Sequence, residues 1–141
     1  MGELYDADVL EWSEHQARLL RQHVAGEAGN EAPDWDSIIE EVESVGRSQL
    51  SAVKSLLVQA LAHDLKAEAW PLMSYVPHWR AEARGFRGDA AEAFTPSMRQ
   101  RIDVAELYRR ALARLPDTVD GQPPLPVPTA CPVTLDELLG E

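Results

Sequence analysis

From Asp34 or Asp36 to Leu65 the apolar residues recur in steps of three and four, and this long stripe constrains the fold more than any other feature of the chain. Ile38, Val42, Val45, Val53, Leu56 and Ala60 follow one line, and Ile39, Leu50, Leu57 and Leu61 widen it. A period near that of the α-helix predicts an amphipathic helix. Its width suits packing among other helices rather than a narrow coiled-coil seam. Ser37 with Glu40 has the spacing of a capping box, and Asp34 and Asp36 are competing caps. Gly46 in mid-helix costs about 1 kcal/mol against alanine. It marks a kink, a break into two helices, or the close approach of another helix.

The rest of the chain reads as shorter helices around this one. A first helix is expected from Asp6 to Ala25, with Val9, Trp12, Leu19, Leu20 and Val24 as its stripe and Asp6 and Asp8 at the positive end of its dipole. Gly26, Gly29, Asn30 and Pro33 predict a loop. WPLMSYVP, from Trp70 to Pro77, is an apolar loop expected to pack onto the body. A third helix from Pro77 to Ala93 carries Trp79, Ala83, Phe86 and Ala90 on one face. A fourth is expected to start at Thr95, with Pro96 in its first turn and a stripe from Met98 through Ile102, Ala105 and Tyr108 to Leu115. Beyond Pro116, DGQPPLPVP predicts an extended arm, and Thr134 with Glu137 caps a last short helix to Leu139. The fold expected is all-α: a four-helix antiparallel bundle over 1–115, and a proline-rich arm over 116–141 ending in a short helix packed on it, one domain overall.

Composition narrows the class of function. The net charge of −11 disfavours nucleic acid and anionic membrane surfaces as partners. The charge is uneven. Residues 1–68 hold 14 acids and 5 bases, whereas 80–114 hold 8 arginines and 5 acids. The acidic half is expected to pair with the arginine-rich segment. No run approaches the ~18 apolar residues of a membrane helix, and the N-terminus lacks the pattern of a signal peptide. Cys131 is the one cysteine, which fits a reducing cytoplasm.

Three blocks carry a family resemblance: YDADVLEWSEHQARLLR at 5–21, WDSIIEEVESVGRS at 35–48 and CPVTLDELL at 131–139. HDLK at 63–66 and TPSMR at 95–99 fall between them in the same order. The chain resembles the bacterial family called domain of unknown function 29. The resemblance implies a helical bundle and a bacterial origin, and implies no reaction and no cofactor.

Several polar residues are candidates for more than solvation. Glu40, Glu43 and Arg47 cluster on the long helix, with Glu43 and Arg47 four apart in the favourable order and Glu43 on the edge of the apolar stripe. His63 borders that stripe. Asp64 falls inside it unless the helix ends or shifts phase near 62, the favoured expectation; otherwise Asp64 is buried and paired with arginine. Gln16 and Gln49 lie within stripes, where a buried amide needs partners. Arg80, Arg84 and Arg87 form one basic stripe, a candidate interaction or anion surface. No Glu-x-x-His pair, serine elbow, P-loop or dinucleotide motif occurs. No catalytic residue, cofactor or metal site is therefore assigned. The function expected is a small cytoplasmic protein-interaction module, with a protein partner or a second copy of itself as its ligand. The alternative is a ligand- or metal-binding protein or an enzyme built on the Glu/His cluster.

Overall fold

The computed structural model describes residues 2–26 and 33–141, and these are largely helical. They form α1 (Glu3–Ala7), α2 (Val9–Val24), α3 (Trp35–Ala69), α4 (Val76–Ala93), a 3₁₀ segment (Pro96–Arg101), α5 (Val104–Leu112) and α6 (Leu135–Leu139). The fold is all-α, with four principal helices, α2 to α5, and a proline-rich arm that ends in the short α6. Most of the expected 26–33 loop, with Gly29 and Asn30, lies outside the described residues. The chain divides into two compact units, Met1–Ser51 with Phe94–Arg101, and Ala52–Ala93 with Ile102–Glu141.

In the first unit the expected opening helix is two. Asp8, at φ −155° and ψ 89°, interrupts it, and its side chain caps α2 by accepting from the Glu11 amide at 3.0 Å. The buried face of α2 is Leu10, Ser13 and Ala17. Leu19, expected inside, is exposed. Gly46 explains the shift. A Cβ there would lie 2.9 Å from Leu10 Cδ1 and 3.0 Å from Leu10 Cα, with Ser13 Oγ nearer still. Of the readings open for Gly46, close approach is the one realised, and it places Leu10 and Ser13 of α2 against α3. The first half of α3 accordingly buries Ile39, Gly46 and Leu50, while Ile38 and Val45 are exposed. Gln49 is exposed too, so it carries no buried amide. Asp34 wins the competition to cap α3, accepting from the Ser37 amide at 3.3 Å and the Ser37 hydroxyl at 2.7 Å.

In the second unit α3 is buried on nearly every side, through Val53, Leu57, Val58, Ala60 and Leu61. It does not end near 62 but continues to Ala69. α4 buries Trp79, Ala83 and Ala90, as its spacing predicts, with Phe86 half-buried. The fourth helix, expected unbroken from Thr95, is a 3₁₀ segment in the first unit followed by α5 in the second. Asp103 takes over the cap, accepting from the Ala105 amide at 3.0 Å. The restart changes the phase, so Leu107, Tyr108 and Ala111 are buried and Ala105 is exposed.

The arm lies on its own chain within this unit. The Leu125 amide donates to the Ala69 carbonyl at 2.9 Å, which satisfies an orphan acceptor at the end of α3. The Trp70 indole donates to the Gln122 carbonyl at 2.9 Å, and the Tyr108 hydroxyl to the Pro128 carbonyl at 2.6 Å. Ala67, Ala69, Trp70 and Trp79 make a small core, covered by Met73, Val119 and Val127. The predicted capping box of α6 is present in both directions, and Leu138 and Leu139 are buried. Cys131 is half-buried with its thiol against the Val133 carbonyl.

Candidate functional site

The polar residues singled out by the sequence fall into two groups, one in each unit. In the first, Arg47 Nη2 donates to Glu40 Oε1 at 2.5 Å, two helical turns away. Glu43 is the acid whose partial burial was expected, and it is paired. Its partner is not Arg47 but Arg21, reaching from α2. The i,i+4 pairing gives way because the half-buried Glu43 side chain meets α2, and Arg47 turns to the exposed Glu40.

In the second, Asp64 is held by two arginines of α4. Arg80 Nη1 donates to Oδ1 at 2.8 Å and Arg87 Nη1 to Oδ2 at 2.5 Å. Asp64 is only partly exposed, and a carboxylate there needs such partners. His63 turns its Nδ1 to the Gln59 carbonyl at 2.8 Å, and its ring lies tilted against Phe86 with the centroids 5.3 Å apart. Two members of the expected basic surface are thus engaged by Asp64. Arg84 remains exposed on α4.

The residue that sequence reading missed is Asp8. It is 2% exposed. Besides capping α2, it accepts from the Ser97 amide at 2.8 Å, the Ser97 hydroxyl at 2.7 Å and the Thr95 hydroxyl at 2.9 Å. Burial pushes its carboxyl up, but the bonds from Glu11, Ser97 and Thr95 outweigh it and hold the carboxyl below the ordinary range. Thr95 therefore serves Asp8 with its hydroxyl instead of capping a helix. The local text showed only an acid at a helix start; its long-range partners left no trace in spacing.

Each unit carries a concave surface. In the first unit a cleft of about 220 Å³ is lined by Arg18, Arg21, Arg47 and Arg101 with Glu14 and Glu43. Arg101 Nη2 donates to Glu14 Oε1 at 2.5 Å. In the second unit a pocket of about 170 Å³ lies among Trp70, Pro71, Met73, Pro123 and Leu125. Leu72 stands at its edge, 98% exposed. The 70–77 loop therefore packs through Trp70 but not through Leu72. Among the described residues no three His, Cys, Asp or Glu side chains group to hold a metal ion. Nor is any described helix long and apolar enough to cross a membrane.

These features define an all-α protein in which Glu40, Glu43 and Asp64 are each paired with arginine. The chain belongs to the family described as domain of unknown function DUF29, whose model matches residues 4–141. It is similar to an α-helical protein of unknown function from Rhodospirillum rubrum, a bacterial protein whose crystal structure was determined at 1.45 Å. The two are 25% identical and superpose with a TM-score of 0.79 over 100% of this chain and 92% of the other. No curated protein sequence matches the chain.

Proposed function

We propose that the chain is a small protein-interaction module of the cytoplasm, without catalytic activity, that pairs with a second copy of itself through the Leu72 surface. The observation that carries this reading is the exposure of Leu72, 98%, beside the pocket floored by Trp70. Single exposed leucines are ordinary. This one adjoins Leu125, 55% exposed, and two prolines, so apolar surface is continuous around it.

A protruding leucine and a shallow apolar pocket on the same face are what a two-fold pairing requires. Each copy offers the same patch, and the knob of one enters the hole of the other. An anchor side chain seated in a pocket is also where binding energy concentrates. The patch is small, so the pair should be weak and reversible. The lone cysteine supports a reducing compartment.

Hydrogen exchange measured at low and at high micromolar protein tests the location. Amides at 69–73 and 119–125 are expected to exchange more slowly at the higher concentration. Rates independent of concentration, or protection confined to other segments, overturn the reading.

A further inference from the structure

We infer that the arginine cleft of the first unit is a binding site for a compact anion, specifically the phosphate group of a small phosphomonoester. Arg18 and Arg21 come from α2, Arg47 from α3 and Arg101 from the 3₁₀ segment, so three separate stretches of chain bring arginines to one concavity. The convergence is unusual for a chain whose net charge is −11. Four arginines and two glutamates line the cleft, an excess of two positive charges. Counting Glu40, which binds Arg47 from outside the cleft, the excess is one.

The internal pairs leave hydrogen-bonding capacity. Arg21 meets Glu43, and Arg101 meets Glu14, through one Nη2–Oε1 contact each. A guanidinium carries five N–H donors, so each can still address a second acceptor. Arg18 is exposed, and none of the ion pairs found among the described residues involves it. A tetrahedral phosphate offers several oxygens to donors arriving from different directions, which suits this arrangement better than one planar carboxylate. The size of the cleft and the charge of the chain set the class further. About 220 Å³ admits a small ester, while the surrounding negative field opposes an extended polyanion.

The test is titration of the full chain, followed by amide and arginine Nε–H NMR signals, with ionic strength held constant by sodium chloride. The probes are inorganic phosphate, glycerol 3-phosphate and a single-stranded oligothymidine. Saturable shifts centred on Arg18, Arg21, Arg47 and Arg101 are expected with the first two, tighter with the ester. Arg18→Gln or Arg47→Gln should weaken binding roughly tenfold, the loss of one charge-assisted contact. Arg84→Gln, on the other unit, should leave it unchanged. Shifts that chloride reproduces, a lack of saturation, equal weakening by Arg84→Gln, or preferred binding of the oligothymidine would each overturn the inference.

Discussion

Asp8 and Thr95 are 87 residues apart in sequence, yet their side chains share a hydrogen bond in a nearly dry setting. Removing the carboxylate takes away a helix cap, worth about 1 kcal/mol, and strands the half-buried donors of Thr95 and Ser97, at about 1–3 kcal/mol. Asp8→Ala is therefore expected to lower unfolding free energy by about 2–4 kcal/mol in urea titration. The direction of its pKa shift sets the pH dependence. The folded carboxyl lies below the unfolded value of 3.8, so its contribution is complete above that value and is lost as pH falls through the lower folded one. The wild type should lose stability more steeply than Asp8→Asn below about pH 4. Gly46→Ala should gain about 1 kcal/mol of helix propensity. It should lose more, about 1–3 kcal/mol, to the collision with Leu10 and Ser13, for a net lower melting temperature. Neither site could be read fully from the text. Gly46 announced itself as an anomaly whose cause stayed open, and Asp8 looked like an ordinary helix-start acid. Both depend on what another segment brings to them.

At the scale of elements, legibility follows the range of the interaction. The capping box of α6 and the Asp34 region of α3 are set by neighbours in sequence, and both were visible there. The break after Arg101 was not, because Met98 and Ile102 keep helical spacing across it and both are buried. Asp103 and the bonds from Thr95 and Ser97 to Asp8 override that periodicity. The phase of α2 slipped by one position for a related reason: the glycine on α3 lets Leu10 and Ser13 of α2 come close. The end of α3 turned on Asp64, where pairing with Arg80 and Arg87 lets the helix run on. For α6, burial should matter more than its cap. Leu138→Ala is expected to cost about 2–4 kcal/mol, and Thr134→Ala about 1 kcal/mol. Chemical denaturation of the two variants ranks them; equal losses would mean that capping holds the helix.

For the whole molecule, the charge and the apolar surface pull in opposite directions. Two copies at −11 repel each other at a distance. A contact through Leu72 and the Trp70 pocket has to overcome that repulsion, so added salt should strengthen the pairing by screening it. The sequence marked the 70–77 loop as apolar but could not tell which of its residues turns inward. Trp70 goes in because its indole finds the Gln122 carbonyl, and Leu72 stays out. The surface proposed for interaction is legible only at that level. Sedimentation equilibrium of the wild type and Leu72→Ser, from low to high micromolar protein, tests it most directly. The wild type is expected to show a reversible monomer–dimer equilibrium and Leu72→Ser a monomer throughout, with the melting temperatures alike at low concentration. A wild type that stays monomeric over the whole range, or a Leu72→Ser chain that dimerises as well as the wild type, would contradict it.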